Sequence, residues 1–232
     1  MLIDEAAWLG RELHALDPER VFPLLDVGSS TRRFRTQEQP WIDALVFAPA
    51  RAAGRPVLHL DAKPAEGVDI VADLGDPQAI ARLKARGIRA VFCSNLLEHV
   101  ENPAAVARSL LAIVPQDGYL FLSCPYRYPF HPDPIDTGFR PTPEELVKLF
   151  PGTRMWRQAI VRDGTYFDGL RRTSMASLRL MVRLLLPFYR RQAWRAAISE
   201  VRHHLPWLFR RFEASCLVLI RLPGGDQSAD SP

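Results

Sequence analysis

The sequence predicts an α/β fold: a Rossmann-like, doubly wound sheet of seven mostly parallel strands. Short runs rich in Val, Ile, Leu and Phe alternate along the chain with segments that carry helix start signals. The first five runs are apolar throughout, which is typical of parallel strands buried on both faces. The length of 232 residues, with 47% hydrophobic residues, suits one domain. We therefore expect a single domain over 1–232, with a core of about 17–161 plus a last strand at 214–222.

The first five predicted strands are VFPLLDV (21–27), PVLHLD (56–61), VDIVADL (68–74), AVFCSN (90–95) and GYLFLSC (118–124). Helices lie between them. Pro40 opens one at about 40–48, Asp76 and Pro77 begin one that ends near Arg86, and Asn102 caps one that ends at Val114. Right-handed crossovers through such helices make the strands parallel.

The pattern changes after residue 124. A Pro-rich loop is followed by a short helix at 143–150 and a strand within 153–161. One or two Arg-rich helices, broken at Pro187, then occupy 171–205 within a helical insertion of about 170–212. The run ASCLVLIRL (214–222) is predicted as the last strand, antiparallel and at or near the sheet edge. Long loops in compact domains usually carry function, so we expect the Pro-rich loop to border the site.

Cysteine usage and the N-terminus indicate a cytoplasmic protein. Cys93, Cys124 and Cys216 are an odd number at wide spacing inside strand-like runs, which favours buried, reduced thiols over disulfides or a zinc site. The N-terminus lacks the basic start and apolar core of a signal peptide, and no run of eighteen apolar residues occurs. Peripheral attachment to the inner face of the membrane stays open.

Positive charge is concentrated in one segment. Residues 170–212 contain ten Arg and one Glu, whereas the whole chain has a net charge of only +4, so the rest is acidic. We therefore expect no nucleic-acid partner. On a helical wheel, an apolar stripe (Leu178, Met181, Val182, Leu185, Leu186, Tyr189) borders an arginine seam (Arg172, Arg179, Arg183, Arg190). The stripe can cover the domain itself, form a homodimer, or let residues 171–212 lie on an anionic membrane.

Polar residues lie at the ends of the first three predicted strands or directly after them. Ligands of open α/β sheets bind beyond the carboxyl ends of the strands, so these residues are the candidate ligand contacts. The turn after the first strand has a glycine, which lets a ligand approach the backbone closely, and hydroxyl and amide groups that can surround a charged ligand. After the second, a carboxylate can accept ribose hydroxyls, and after the third, a carboxylate can accept an exocyclic amine. These residues are Asp26, Gly28, Ser29 and Ser30; Asp61 and Ala62; and Asp73 and Leu74.

The ordered series DVGSS, HLDA, VDIVADL, CSNLLEHVENP and GYLFLSCPY resembles class I S-adenosylmethionine (SAM) dependent methyltransferases. The resemblance covers residues 21–150, and its LLEHV stretch is similar to that of methyltransferase type 11-like proteins. It implies that Asp26, Gly28, Ser29 and Ser30 surround the methionine part of SAM. It also implies that Asp61 and Ala62 lie at the ribose, Asp73 and Leu74 at the adenine, and Asn95 and Leu96 near the sulfonium. Ser30 and Arg32 occupy the second and third glycine positions of the family's Gly-x-Gly-x-Gly turn.

Two histidines are candidate general bases for methyl transfer to a hydroxyl acceptor. His99 follows the fourth strand, and His131 lies in the Pro-rich loop. Structural roles in a helix turn and in a Pro-Asp turn explain the same residues. The spacing of His131, Asp133 and Asp136 could also recruit a divalent cation, but turn chemistry accounts for it, and we assign no metal ligands.

The sequence therefore predicts an enzyme that uses SAM to methylate a small-molecule or glycan/lipid-linked acceptor, at oxygen. The Pro-rich loop is similar to loops in methyltransferases of polysaccharide biosynthesis, with Tyr126, Tyr128 and Phe130 available to stack on sugars. Two alternatives stay open: a non-catalytic binding or scaffold protein with this fold, and a NAD-dependent oxidoreductase. The missing glycines oppose the oxidoreductase, because close approach to a pyrophosphate needs them.

Overall fold

A computed structural model describes residues 1–131, 135–172, 182 and 191–223. Its sheet has seven strands in the order β3-β2-β1-β4-β5-β7-β6. The first five in that order are parallel, and β7 runs antiparallel to both β5 and β6. The strands are β1 Leu24–Val27, β2 Val57–Asp61, β3 Ile70–Val71, β4 Ala90–Ser94, β5 Tyr119–Arg127, β6 Thr153–Thr165 and β7 Arg211–Arg221. The predicted fold class is confirmed.

Eight longer helical segments, and the short 3₁₀ helices Leu97–His99 and Leu205–Trp207, connect or cover the strands within the described ranges. The eight are α1 Ile3–His14, α2 Pro18–Val21, α3 (Phe34–Glu38, Pro40–Ile42, Asp43–Phe47 and Ala48–Ala52, with two wide π-helical turns), α4 Pro77–Lys84, α5 Pro103–Ile113, α6 Pro143–Val147, α7 Tyr166–Arg172 and α8 Arg191–His204. The predicted caps are present: Asp76 accepts the Gln78 N–H and Asn102 accepts the Ala105 N–H. None of the helices in these ranges is long and apolar enough to cross a bilayer.

The sheet separates two apolar cores. Successive strand residues point to opposite faces, so Leu24 packs in one core and Leu25 in the other. One core lies under α4 and α5, and the other lies under α1 and α3, where Phe47 meets Phe92 edge to face. Burial on both faces explains why β1, β4 and β5 are continuous apolar runs.

The structure corrects several predicted boundaries. The third strand, predicted over 68–74, is only Ile70–Val71, because Asp69 accepts the His59 N–H and Asp73 accepts the Gly75 N–H. Local bonds of this kind compete with the strand ladder. The helix predicted at 40–48 is part of the longer α3, and the strand predicted within 153–161 extends to Thr165.

The Arg-rich insertion is described at its two ends. The predicted arginine seam and apolar stripe lie outside the residues whose side chains are described, except for Val182, which is 46% exposed. The predicted break at Pro187 also falls outside. Helices α7 and α8 occupy the beginning and end of the predicted helical region.

Candidate functional site

A cavity of about 670 Å³ lies at the carboxyl ends of β1, β2 and β4. In this sheet, β2 and β4 flank β1 on opposite sides, so the crossovers diverge at this point and leave a crevice. The volume is within the range of small-molecule and cofactor sites. Residues predicted as ligand contacts that line it are Asp26, Gly28, Ser29, Ser30, Asp61, Asn95, Leu96, His99 and His131.

The turn after β1 depends on two residues with left-handed backbone. Gly28 has a φ of 74°, and a Cβ there would lie 3.1 Å from Leu96 Cδ1. The left-handed backbone favours glycine, and a Cβ would also force the Leu96 side chain to shift slightly. Ser30, in a position where the family has glycine, adopts a φ of 55°. Its N–H donates to the Asp61 carboxylate over 2.9 Å, which supports this conformation.

A buried arginine holds the same turn from behind. Arg35, 4% exposed, donates to the carbonyl oxygens of Ser29 (2.7 Å), Ser30 (2.9 Å) and Gly67 (2.7 Å). Burial lowers the pKa of Arg35, and the nearby Asp26 carboxylate opposes that shift. The sequence analysis missed Arg35, because its partners are backbone carbonyls that no motif reveals.

Two carboxylates face the cavity from β1 and β2. Asp61 accepts the Ser30 N–H at one oxygen and the Lys63 N–H, at 3.1 Å, at the other. Each of its oxygens keeps a lone pair for a ligand hydroxyl. Asp26 is buried and lies 2.8 Å from His59 Nδ1, which orients its carboxylate.

Three predicted cofactor contacts lie outside the cavity lining. Asp73 is exposed and accepts the Gly75 N–H in its own turn, and Leu74 packs against the core below α5. Ala62 is exposed beside Asp61. The structure therefore brings together the predicted methionine contacts and Asp61 of the predicted ribose contacts, whereas Ala62 and the predicted adenine contacts stand apart from them.

The opposite wall is organised by a glutamate from α1. Asn95, which follows β4 with a φ of 50°, donates its amide to Glu5 Oε1 over 2.7 Å. The Ser123 hydroxyl donates to the same oxygen over 2.6 Å, and the other Glu5 oxygen accepts the Leu2 N–H. Glu5 lines the cavity although it is 1% exposed. The sequence analysis missed it, since α1 carries no cofactor motif.

The two candidate bases lie together at one end of the cavity. The rings of His99 and His131 meet edge to face at 5.2 Å, and Tyr128 contacts His131 at 5.1 Å. His99 Nδ1 donates to the Ile135 carbonyl. His131 Nδ1 lies 3.2 Å from the Pro129 carbonyl and 3.3 Å from the Asp136 carboxylate, both acceptors. Burial lowers the pKa of His131, which favours the neutral imidazole.

Asp136 is committed to Arg140 through two bonds of 2.6 and 3.0 Å. Burial opposes its ionisation, but hydrogen bonds from Arg140 and from the N–H groups of His131 and Gly138 hold the pKa of Asp136 well below its usual range. Both of its oxygens are therefore engaged. Asp136 therefore has no oxygen available for the cation that the spacing of His131, Asp133 and Asp136 could have recruited. Asp133 lies outside the described residues.

A buried glutamate sits behind the histidine pair. Glu98 is 0% exposed, and its Oε1 accepts no hydrogen bond from any residue that the structure describes. Oε2 accepts a weak bond from the Cys124 thiol at 3.6 Å. Burial raises the pKa of Glu98 to about 7. Its Oε1 lies 3.7 Å from His99 Nε2.

Comparison with known proteins shows the fold. No family model and no curated protein sequence matches the chain. Among solved structures, it is similar to a coclaurine N-methyltransferase bound to N-methylheliamine and SAH (15% identity, 93% of this chain, 70% of that chain, TM-score 0.52). It is also similar to the [4+2]-cyclase SpnF (16%, 95%, 82%, TM-score 0.50) and to a SAM-dependent methyltransferase from Anabaena variabilis (15%, 92%, 82%, TM-score 0.50). The chain therefore has the fold of class I methyltransferases.

Proposed function

We propose that this chain is a methyltransferase that uses SAM to methylate a small-molecule or glycan/lipid-linked acceptor at oxygen. One observation carries the proposal: the Gly28 turn and the Asp61 carboxylate face one cavity at the sheet's switch point. Two structures that share the fold are SAM-dependent methyltransferases or carry SAH. A nucleoside with a charged amino-acid tail suits this combination of tight turn and carboxylate.

The cavity residues fit SAM. Gly28 lines the cavity with a left-handed backbone and no Cβ, so its main chain is open to a ligand. Asp61 would hold the ribose hydroxyls; Asp26, Ser29 and Ser30 would surround the methionine part. Asn95 and Leu96 would border the reacting end, while Asp73 and Leu74 remain sequence-based assignments to the adenine. SAM supplies a methyl group on a sulfonium.

The protein's part in methyl transfer is positioning and proton removal. Since His131 Nδ1 faces only acceptors, that nitrogen carries the proton, and Nε2 holds a lone pair. We assign Nε2 of His131 as the base for an acceptor hydroxyl, with His99 beside it as the second candidate. Tyr128 lines the same end of the cavity and offers a face for a sugar ring.

A lipid-linked acceptor would place the protein at an anionic membrane. In the described end of the insertion, Leu205 is 61% and Phe209 is 76% exposed, close in sequence to Arg202 and Arg210. Apolar side chains among arginines favour an interfacial surface. Flotation with anionic liposomes should decrease in Phe209→Glu and stay unchanged in Glu144→Gln. Equal flotation of both variants would remove the membrane from the proposal, leaving a homodimer to be tested by sedimentation.

A non-catalytic binding protein is the second candidate. Ser30 and Arg32 in glycine positions favour it, because a fold can keep a binding site without the chemistry. Product formation separates the two. Labelled methyl from SAM should appear on a member of a panel of hydroxylated small molecules and lipid-linked sugars, and His131→Ala should reduce the rate. SAM binding without transfer across the panel would favour the binding protein.

SAM binding itself is tested by titration calorimetry with SAM and with SAH. Asp61→Asn should weaken both by at least about tenfold, because charge-assisted bonds to hydroxyls are lost. Asp76→Asn is the matched control: it also removes one charge, but Asn is an equally good helix cap away from the cavity. Equal affinities of the two variants, or no binding by the unaltered protein, would contradict the proposed function.

A further inference from the structure

We propose that Glu98, His99 and His131 bind a divalent transition-metal ion at the histidine end of the cavity. One ligand atom of each side chain lies within 4.8 Å of the other two. Two imidazoles and one carboxylate form the three-protein-ligand set of catalytic zinc sites, and imidazole also suits iron and nickel. The residue types therefore select a first-row transition cation over Mg²⁺ or Ca²⁺, which prefer oxygen ligands.

The hydrogen bonds around both histidines prepare the ligand atoms. His99 Nδ1 faces the Ile135 carbonyl, and His131 Nδ1 faces the Pro129 carbonyl and the Asp136 carboxylate. Carbonyl and carboxylate oxygens only accept, so both Nδ1 atoms carry protons and both Nε2 atoms present lone pairs. Metal-bound histidines characteristically donate their second nitrogen to such groups.

Glu98 supplies an independent reason for a cation here. Its carboxylate is fully buried, and Oε1 accepts no hydrogen bond from the described residues. That oxygen lies 3.7 Å from His99 Nε2, the nitrogen that the Ile135 contact leaves without a proton. Burying an unpartnered carboxylate oxygen against an imidazole lone pair is unfavourable. A cation between them converts the repulsion into two bonds.

An ion pair between Asp136 and Arg140 holds one of the proposed ligands, His131, in place. Asp136 holds the His131 ring through Nδ1 and is itself held by two bonds from Arg140. This arrangement is a carboxylate–histidine pair of the kind that orients metal ligands. The guanidinium neutralises Asp136, so a cation on the three ligands meets one uncompensated carboxylate, that of Glu98.

The separation of the ligand atoms is close to that of a closed site. Ligands at zinc distances of about 2.1 Å lie roughly 3.4 Å apart in a tetrahedron. The Glu98 and His99 atoms are 3.7 Å apart, and the His131 atom lies within 4.8 Å of both, so the three must move somewhat closer together to bind the ion. His99 and His131 both line the cavity, which gives the ion an entry path and leaves its fourth position facing the ligand space.

Binding of the metal ion does not depend on the proposed methyl transfer. A catalytic role for the ion rests on that proposed function. An acceptor oxygen at the open position would be oriented, and its pKa lowered, by the ion. With the ion bound, His131 Nε2 is a ligand and the ion would activate the acceptor hydroxyl, so His131 acts as the base assigned above only in the metal-free protein. The metal titration contains no SAM, so its failure leaves the SAM-binding result untouched.

The experiment is a titration of chelator-treated protein with Zn²⁺, with Co²⁺ as a spectroscopic probe. We expect about one equivalent of Zn²⁺ with micromolar or tighter affinity, and visible d–d bands from Co²⁺ of low coordination number. Glu98→Gln, which keeps the side-chain shape, should weaken Zn²⁺ at least tenfold and abolish the Co²⁺ bands. The control His203→Ala removes an exposed histidine that is not part of the proposed site, and it should leave the Zn²⁺ affinity and the Co²⁺ bands unchanged.

The absence of saturable Zn²⁺ binding would overturn the proposal. The Glu98–His99 contact would then be explained by a proton shared between the two side chains. Binding lost in His203→Ala and retained in Glu98→Gln would also overturn it, because the ion would then sit on the surface. If Glu98→Gln does not fold, His131→Ala provides the same comparison, since that imidazole is already 33% exposed. Circular dichroism of each variant establishes that it is folded.

Discussion

Removing the Arg35 side chain should destabilise the protein and loosen the turn after β1. In Arg35→Met, the carbonyls of Ser29, Ser30 and Gly67 each lose a charge-assisted bond of 2.7 to 2.9 Å. An unsatisfied buried polar group costs about 1–3 kcal/mol. Only the Ser29 bond is fully buried, so water satisfies part of the other two. The expected loss in the free energy of unfolding is therefore about 3 kcal/mol.

Urea unfolding followed by circular dichroism measures this loss, with Arg33→Met as the control. The Arg33 guanidinium is 74% exposed and contacts Glu38 at 3.2 Å, so its removal should cost less than about 1 kcal/mol. In folded Arg35→Met, SAM affinity should also fall, because Ser30 no longer presents its N–H to Asp61 in a fixed position. Equal stability losses in the two variants would refute the reasoning.

Three further predictions test other parts of the structure. Ser30→Gly should raise the free energy of unfolding by about 0.5 kcal/mol. Glycine relieves the strain of the left-handed backbone at Ser30, and the greater freedom of the unfolded chain offsets part of this gain. A lower melting temperature would contradict the prediction. Gly10→Ala should lower the free energy of unfolding by about 1–3 kcal/mol in a denaturant titration, because the added Cβ would lie 2.3 Å from the Leu45 carbonyl oxygen. The control Gly169→Ala should not, because a Cβ there meets open space. The three cysteines are buried, which raises their thiol pKa values, so a thiol-reactive dye should label none in the native protein and all three in denaturant; native labelling would show an open core.

The sequence allowed the sheet to be predicted because its central strands are buried on both faces. Continuous apolar runs locate β1, β4 and β5, and cap residues such as Asp76 and Asn102 locate the helix starts. The third strand was predicted too long because its apolar residues are interrupted by aspartates that bond locally. Such side-chain bonds are invisible to periodicity.

The candidate site was predictable where residues follow strands and hidden where distant segments meet. Asp26 and Asp61 lie at the carboxyl ends of strands, and Gly28 and Asn95 come directly after strands, so topology alone gathers them. Glu5 and Arg35 were missed, because their partners are separated from them by much of the chain or are backbone atoms. The cation set weighed from the spacing included Asp136, whose carboxylate is paired with Arg140, whereas the buried Glu98 Oε1 lies beside the two histidines only in the folded chain.

The cavity wall joins α1, which carries Glu5, to β7, which carries Glu213 and Ala214. β7 pairs with both β5 and β6, so Glu213 and Ala214 are held at the cavity by the strand that joins these two. The wall of the cavity therefore brings together segments more than two hundred residues apart in the sequence, and a change that weakens the β7 ladder is expected to alter the cavity as well as the sheet.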